Sequence, residues 1–430
     1  MSQRAIKRLL NDKRGSVLVI AGMAMPLILG SVGLATDTVQ WALWKRQLQR
    51  SADSAAMAGV YAISDGASHT EAVDRDLVTN QRTGITLASK AVTTPTVTGF
   101  TNAVRVTLGV QKSLPFSSMF MTAAPTIMAE ATAALSNEGT YCMKGLKNTT
   151  DPSIVINGNV TVNMGCGMIS NSTNSTNAIS VAGNSHIINA TPIAAVGKVP
   201  SINGVNTELS YQLKQPDPFA NKYSTTIPTS VAAGCKTLAQ HVAAKATTTS
   251  AGYKVIDPGC YRPVGSGNNH NAAFTTSNEK IALNPGTYYI DSADFDIGAN
   301  SFITVNSTDG TQGVTIILTG TSPGDVQIGS NAEVNLRAPS SGTYSKMLFV
   351  QSSAATSGSL ISGNANSTFD GTFYFPNTTV DYNGGGTSTF KCAMIVGYVI
   401  NLSGNSSIQN NTTGCNANTT QAVTRVRLVG

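Results

Sequence analysis

The sequence GSVLVIAGMAMPLILGSVGLA, residues 15–35, is an apolar run that contains no charged residue. In a helix that rises about 1.5 Å per residue, a run of this length spans the roughly 30 Å hydrocarbon core of a bilayer. Pro26 lies inside the run and removes one backbone hydrogen bond, which transmembrane helices tolerate by kinking. The run therefore predicts a single transmembrane helix that anchors the rest of the chain.

The segment before this run is basic. Asp12 is its only acid, and its cationic residues are Arg4, Lys7, Arg8, Lys13 and Arg14. A short basic segment stays in the cytoplasm, so we expect everything after residue 35 on the far side of the membrane. A cleaved signal peptide is the alternative. We disfavour it because the apolar run exceeds the ~7–15 residues of a signal core, and no small-x-small site leads into a new domain.

The sequence from residue 36 to about residue 63 predicts a continuation of the helix. Small residues recur there on one face, at i, i+4, i+7, i+8 and i+11. This small-residue stripe consists of Leu48, Ala52, Ala55, Ala56 and Gly59. Small side chains let another backbone approach closely, which leaves two interpretations open. The stripe packs against the next domain of this chain, or it docks onto a similar helix of a partner protein.

Residues 65–137 predict a small α+β module. We expect a short helix at about Glu71–Gln81 and two strands of alternating polarity, Val104–Val110 and Thr126–Ala134. Four large apolar side chains lie between the strands, and we expect them in the core rather than in a recognition patch: Phe116, Met119, Phe120 and Met121.

Several features of the first 65 residues form a recognisable pattern: Arg14-Gly15 before the anchor, Pro26 within it, GLATD at 33–37 and LQRSADSAA at 48–56. In this pattern the chain resembles the amino-terminal domain of TadG-like proteins from the tight-adherence (Flp) pilus assembly system. The resemblance implies a single-pass inner-membrane protein with a periplasmic body. Prepilins, by comparison, are cut after a glycine and carry Glu at the fifth mature position, which Ile20 would occupy here. We therefore expect the anchor to stay uncut.

From Asp151 onward, short apolar–polar alternations are separated by Gly-Asn or Gly-x-Asn, as in INGNVTVN and IGANSFITVN. Gly and Asn supply the positive-φ corners that tight turns need. A second repeat consists of PGCY at 258–261 and PGTY at 285–288. Short strands that recur every ~20–30 residues without intervening helices indicate a β-solenoid. The predicted fold is thus mainly β, with a right-handed parallel β-helix as its body and a β-sandwich as the alternative.

All six cysteines follow the anchor, as expected in an oxidising compartment: Cys142, Cys166, Cys235, Cys260, Cys392 and Cys415. They allow 15 connectivities. If one coil takes ~20–25 residues, cysteines one coil apart stack at a separation of ~4.8 Å, which suits a disulfide. We predict bridges between sequence neighbours, with Cys142–Cys166 and Cys392–Cys415 near the two ends of the solenoid. A zinc site is the alternative, but the sequence has no C-x-x-C motif.

These observations divide the chain into four parts. They are a basic cytoplasmic tail at 1–14, the transmembrane helix and its periplasmic continuation at 15–64, the α+β module at 65–137, and a β-helical periplasmic body at 138–430. Within the body, an irregular insertion at about 198–280 borders Cys235 and Cys260, and we expect it to pack on the side of the solenoid.

The composition argues against several classes of function. Charged residues make up only 12% of the chain, and no basic stripe is interleaved with aromatics, so nucleic-acid binding is not expected. Asp291, Asp294 and Asp296 form the densest carboxylate cluster, yet no basic residue lies near them in sequence, which favours a solvated outer face. Since no Gly-His-Gly signature of the pectinase type is present, we predict that the protein is not an enzyme. We predict no catalytic, cofactor or metal site.

The leading functional hypothesis is an inner-membrane-anchored structural component of Flp pilus assembly or anchoring. Its expected partners are the lipid bilayer and pilins, minor pilins or the pilus secretion machinery, whereas the sequence indicates no particular oligomeric state. A surface adhesin or carbohydrate binder is the first alternative, and its candidate aromatic residues are Tyr288, Tyr289, Tyr374 and Tyr382. The second alternative is a membrane-tethered glycan-processing enzyme, which requires a groove with at least two carboxylates.

Overall fold

The computed structural model describes residues 16–64, 67–80, 86–202, 208–220, 234–244, 252–263, 272–362, 366–384, 387–413, 415 and 421–429. The predicted cytoplasmic tail lies outside the described residues. The fold is mainly β, with 42% strand and one long apolar helix at the amino terminus, as predicted. The chain divides into two compact units, one formed by residues up to Asn137 together with those from Arg425, the other by Glu138–Thr424.

The first unit is an α+β module built on an antiparallel sheet. Its elements are helix α1 (Ser16–Ser64), helix α2 (His69–Asn80), and strands β1 (Ser89–Thr93), β2 (Thr101–Gln111) and β3 (Thr126–Gly145), the last of which continues into the second unit. β1 pairs with β2, and β2 pairs with β3. Alternate side chains of β2, such as Val104, Val106 and Leu108, are buried, as the alternation of apolar residues requires.

The second unit consists of short strands and one short helix. In chain order they are β4 (Ile154–Gly158), β5 (Thr161–Asn163), β6 (Gly167–Ser170), β7 (Ile179–Gly183), β8 (His186–Ile188), β9 (Ile193–Ala195), β10 (Glu208–Leu209), α3 (Leu238–Ala244), β11 (Lys254–Ile256), β12 (Gly259–Tyr261), β13 (Ala272–Thr276), β14 (Lys280–Leu283), β15 (Gly286–Asp291), β16 (Asp294–Ile297), β17 (Phe302–Val305), β18 (Val314–Thr319), β19 (Val326–Ile328), β20 (Glu333–Arg337), β21 (Met347–Gln351), β22 (Ser359–Ile361), β23 (Thr368–Tyr382), β24 (Thr387–Gly404), β25 (Ser407–Asn411) and β26 (Gln421–Leu428), of which β26 reaches into the first unit.

From β11 to β20, each strand pairs in parallel with the strand three places further along the chain. β11 pairs with β14, β12 with β15 and β13 with β16, and the same rule continues through β22. Three strands therefore make one coil, and the long strands β23 and β24 each run through all three faces. This large parallel sheet is consistent with the predicted β-helix and excludes the β-sandwich alternative. The handedness stays a prediction.

The order of coils in the stack differs from their order in the chain. β24 pairs on one side with β23 and on the other side with β25, β3 and β4. β5, β6 and β7 stack next, followed by β8 and β9, and then by β10. The chain thus enters the stack at its middle, winds to one end at β10, returns to the opposite end at β11, and winds back to the middle.

Corners between strands use the residues that the sequence repeat predicts. Asn300 and Asn331, from two of the Gly-x-Asn units, have positive φ values of 57° and 65°. Asn306 donates from its amide to the side-chain oxygen of Asn284 at 2.7 Å, so asparagines also form ladders between coils. Apolar side chains fill the interior, where aromatic rings from successive coils are in contact: Phe295, Phe349, Phe369, Phe373 and Phe390.

The range predicted as an irregular insertion also contributes strands to the stack. β11, β12 and β13 all begin within 198–280, and they form the end coil of the solenoid. The same range contains helix α3, at Leu238–Ala244. The part between β10 and α3 includes the segment 210–220, which we call the strap because it connects coils at different levels of the stack.

Candidate functional site

Helix α1 has an exposed apolar half. It is long and apolar enough to span a membrane, and none of its most apolar 18-residue window is buried. Exposed apolar surface of this extent calls for a lipid or protein cover. The exposed large apolar side chains are Val19, Ile20, Met23, Met25, Leu27, Ile28, Leu29, Val32, Leu34, Val39, Trp41 and Leu43.

The other half of α1 is packed inside the first unit. All five residues of the small-residue stripe are buried, and four of them are at most 1% exposed: Leu48, Ala52, Ala55 and Ala56. A Cβ atom added at Gly59 would lie 3.0 Å from Cγ1 of Val104 on β2 and 3.1 Å from Cγ2 of Val73 on α2. The stripe is therefore covered by its own module. The hypothesis that it docks onto a partner helix is wrong, because these small residues admit α2 and β2 instead.

Polar contacts hold this half of α1 in place. The ammonium of Lys45 donates to the backbone oxygen of Met128 on β3. The amide of Gln49 donates to the backbone oxygen of Glu130 at 2.7 Å, and Ser54 Oγ donates to Asp76 Oδ1 at 3.0 Å. Since these bonds reach both α2 and β3, α1 is fixed to the module along its length beyond the apolar run.

Asp37 binds a loop where the apolar run ends. Only 3% of this residue is exposed, although it is an acid next to the predicted membrane boundary. Its carboxylate accepts hydrogen bonds from the backbone N–H of Phe116 at 3.0 Å and from the backbone N–H and hydroxyl of Ser117. Buried carboxylates need such donors. The sequence analysis missed this contact, although an acid directly after a long apolar run is a signal that could have revealed it.

The apolar residues of that loop are not in the core. Met119, Phe120 and Met121 are 76%, 74% and 50% exposed, which corrects the expectation that they are buried. The residues from Ser117 to Met119 form a turn of 3₁₀ helix. The ring of Phe116 packs against Gly33 of α1, where an added Cβ atom would lie 2.3 Å from Cδ2 of that ring.

Three disulfides join the six cysteines as Cys142–Cys166, Cys235–Cys260 and Cys392–Cys415, with Cα separations of 5.8, 4.6 and 5.3 Å. Their positions in the stack differ from the prediction. Cys142 on β3 and Cys392 on β24 belong to adjacent coils at the middle of the stack, so their bridges are not at its ends. Cys235–Cys260 is the bridge at an end, because Cys260 lies on β12.

A polar groove of about 550 Å³ lies on the solenoid along the strap. Beside it, the Lys144 ammonium donates to the backbone oxygen of Pro216 at 2.6 Å, and the Tyr374 hydroxyl donates to Asp217 Oδ2 at 2.7 Å. Burial lowers the pKa of Lys144 to about 8, although the nearby Asp217 carboxylate opposes this effect. Asn171 is tied to the same segment by two hydrogen bonds to Gln215. These contacts stabilise the strap.

The carboxylates that suggested hydrolytic chemistry are engaged in structural contacts. Asp294 Oδ1 accepts the backbone N–H of Asp325 at 3.0 Å, and Asp325 Oδ1 accepts the amide of Gln327 at 3.0 Å. Burial and the neighbouring Asp325 raise the pKa of Asp296. Asp294 thus braces neighbouring coils, and Asp291, Asp294 and Asp296 are only partly exposed, which corrects the expectation of a fully solvated face.

Most of the tyrosines considered for carbohydrate binding belong to the interior. Tyr288, Tyr374 and Tyr382 are at most 4% exposed, whereas Tyr289 is partly exposed. The Tyr288 hydroxyl donates to the backbone oxygens of Ile256 and Asn284. Three of the four candidates are therefore unavailable to a sugar, and the row of exposed rings expected for a carbohydrate binder is not formed by them.

The position of α1 in the first unit coincides with a match to a known family. Residues 15–65 match the family model described as Flp pilus-assembly TadE/G-like. The match covers 51 of the 430 residues. No curated protein and no solved structure matches the chain. The matched range thus takes in the exposed apolar half of α1 and the half that carries the small-residue stripe, and this similarity supports a component of an Flp pilus system.

Proposed function

We propose that the protein is a structural component of Flp pilus assembly or anchoring, tethered to the inner membrane by α1. The observation that carries this proposal is the coincidence of the TadE/G-like match at 15–65 with a helix whose apolar half is exposed. A membrane span explains that exposure, because lipid covers apolar side chains that water would not.

We propose further that the amino terminus is cytoplasmic and the solenoid periplasmic. The basic residues before the anchor support this orientation, since short loops rich in Lys and Arg stay inside. The three disulfides support an oxidising compartment for the second unit. In this arrangement the α+β module follows the anchor directly and carries the coils into the periplasm.

The proposed role is not enzymatic. The carboxylates that a glycan hydrolase would use, among them Asp294 and Asp325, take part in hydrogen bonds between coils. The proposed partners are pilins, minor pilins or the pilus secretion machinery, which share the inner membrane with the anchor. Repeated coils present a long lateral surface for such contacts.

A complementation experiment tests the role. We expect deletion of the gene to abolish piliation and the full chain to restore it. A variant whose residues 15–35 are replaced by a cleavable signal peptide should not restore piliation, because the solenoid is then released from the membrane. A photo-crosslinker placed at Leu360, an exposed residue of β22, should capture a pilus component. Unchanged piliation on deletion would contradict the proposal.

Protease accessibility tests the orientation. The solenoid should be protected in intact cells and degraded in spheroplasts whose disulfides have been reduced. Degradation in intact cells would place the solenoid at the cell surface and favour the adhesin alternative. A control protease site in a cytoplasmic protein must stay uncut in both samples.

A further inference from the structure

The loop between β2 and β3 presents large apolar side chains to the solvent. Met119, Phe120 and Met121 are consecutive, and at least half of each is exposed. The rest of β2 and β3 buries its large apolar residues, with the exception of Met128 at 43% exposure. A contiguous exposed apolar cluster marks a surface that meets a partner or a membrane. We call residues 114–121 the apolar loop.

The apolar loop is held at one level of α1. The Phe116 ring occupies the space beside Gly33, where any side chain would collide with it. One helical turn further on, the buried Asp37 carboxylate accepts three hydrogen bonds from Phe116 and Ser117. The contacts at Gly33 and at Asp37 together fix the position of the loop along the axis of α1 and its orientation against the helix.

That level is the boundary of the predicted membrane span. The uncharged run ends at residue 35, so Gly33 lies inside the run and Asp37 just outside it. Four residues of helix correspond to about 6 Å along the axis. The Phe120 ring lies 5.3 Å from the Phe116 ring in an edge-to-face arrangement, so the exposed end of the loop stays close to this level. Interfacial protein segments insert about 5–10 Å into the headgroup and acyl boundary.

The neighbouring side chains have the composition of a membrane interface. Trp41 follows Asp37 by one turn and is 42% exposed, and the Lys112 ammonium lies 4.7 Å from the ring centroid of Trp44. Tryptophans and lysines are enriched where transmembrane helices leave the hydrocarbon core. Val32 and Leu34, on either side of Gly33, are both 58% exposed, and the bilayer covers them if α1 spans it.

We propose that the apolar loop inserts into the outer leaflet boundary of the same bilayer that α1 crosses, as a second membrane contact. Its ligand is the lipid surface, and Asp37 is the positioning residue. This inference rests on the proposed membrane anchoring. Two contacts on one side of the helix restrict rotation of the anchor about its axis, so the α+β module meets the membrane in one orientation.

Depth-dependent fluorescence quenching tests the proposal with the full chain in phosphatidylcholine–phosphatidylglycerol vesicles that contain brominated lipids. Trp41 and Trp44 are replaced by Phe, and a single tryptophan is introduced as Phe120→Trp, Leu27→Trp or Tyr211→Trp. Tyr211, on the solenoid, is 71% exposed and matches Phe120 in exposure. We expect bromines near the headgroup to quench the tryptophan of Phe120→Trp at least twofold more strongly than that of Tyr211→Trp.

The Leu27→Trp variant separates failure of this inference from failure of the anchoring. If Leu27→Trp is quenched while Phe120→Trp is quenched no more than Tyr211→Trp, the loop does not touch lipid and the proposal is overturned. A blue-shifted but unquenched Phe120→Trp would overturn it too, because a second copy would then cover the loop. If Leu27→Trp itself is not quenched, the anchoring proposal fails first, and the second membrane contact fails with it.

A variant of the positioning residue provides the second measurement. Asp37→Ala, combined with Phe120→Trp, should reduce the quenching by at least half because the loop loses its three hydrogen bonds to α1. Asp53→Ala is the matched control on the same helix, since Asp53 accepts only a side-chain bond from Gln49 in the part of the chain described by the structure. Equal quenching in both variants would show that Asp37 does not position the loop.

Discussion

At the scale of single residues, the solenoid depends on glycines stacked at one corner. Gly404, Gly158 and Gly183 lie on successive coils, and all three have positive φ. A Cβ atom added to Gly158 would lie 2.7 Å from the backbone oxygen of Gly404, and one added to Gly183 would lie 2.4 Å from that of Gly158. Only glycine combines this backbone conformation with so close an approach between coils.

The Gly158→Ala substitution should destabilise the solenoid by about 3 kcal/mol, since it adds a backbone collision to the cost of a left-handed conformation. Gly342→Ala is the matched control. Gly342 also has positive φ, but no atom lies within 4 Å of its added Cβ, so we expect a loss of only about 1 kcal/mol. Thermal unfolding in detergent measures both. If both substitutions lower the unfolding free energy equally, the close approach between the stacked glycines does not add to the stability of the solenoid.

The buried Lys144 makes stability depend on pH. Burial lowers its pKa from the ordinary 10.5 to about 8, so between these values the unfolded chain binds the proton that the folded chain has lost. Unfolding free energy should therefore rise with pH, by about 1–2 kcal/mol between pH 7.5 and 9.5. Lys144→Met should remove this rise. The range stops below pH 10 because burial raises the pKa of Tyr288, so the stability it contributes is lost above that pH. If the unfolding free energy of Lys144→Met rises with pH as steeply as that of the unsubstituted protein, Lys144 is not the cause of the rise.

At the scale of elements, the strap is the segment that connects coils at different levels. Asn171 on the segment after β6 donates to the backbone oxygen of Gln215 at 2.8 Å and accepts its N–H at 2.9 Å. Further on, Phe219 packs edge-to-face against Tyr374, with ring centroids 5.3 Å apart. Because each contact lies on a different coil, the strap binds the coils laterally in addition to their backbone pairing.

The Asn171→Ala substitution should cost about 2–4 kcal/mol, because the buried backbone N–H and C=O of Gln215 both lose this partner. Asn159→Ala serves as control. Asn159 makes an exposed side-chain bond to Asn405 at 3.0 Å, so its loss should cost less than about 1 kcal/mol. Proteolysis within the strap, followed by mass spectrometry, should accelerate only in the Asn171 variant. If cleavage in Asn171→Ala is unchanged, the two hydrogen bonds between Asn171 and Gln215 do not hold the strap.

At the scale of the whole molecule, the stack is interleaved. β24 contributes the coil on which β25, β3 and β4 rest, so residues near both ends of the solenoid sequence meet at its middle. In a repeat protein each coil is stabilised by its neighbours, and the outermost coils fray most easily. The last long strand of the chain is therefore one of the best supported.

Hydrogen exchange should reveal this order. We expect amides of β24, and of β4 beside it, to exchange at least tenfold more slowly than those of β8 at one end of the stack. β11, at the other end, should exchange faster than β24 as well, although the Cys235–Cys260 disulfide lies nearby. Mass spectrometry of peptides from the detergent-solubilised chain measures the rates. Fast exchange in β24, as for a final coil, would contradict the interleaved stack.

Much of this architecture could be predicted from local patterns, but the stacking order could not. The uncharged run at 15–35 and the Gly-x-Asn corners at Asn300 and Asn331 are local signals with direct physical causes. The pairing of Ile154 with Ile400 is not, because every coil has similar β-branched and asparagine-rich strands that fit one another. Likewise, the apolar composition of residues 116–121 does not show whether the Phe120 side chain is buried in the core or exposed at the surface, as it is here.

If the solenoid is periplasmic, as we propose, the interleaved stack has a consequence for its export across the inner membrane. With the amino terminus in the cytoplasm, residues 143–195 cross the membrane early, yet the strands that cover β4 and β5 belong to residues 387–411. The strand edges of β4 and β5 therefore stay unpaired until residues 387–411 have crossed the membrane. Complete folding in the order of export is then excluded for these coils, and we expect periplasmic chaperones that shield unpaired strand edges to increase the yield.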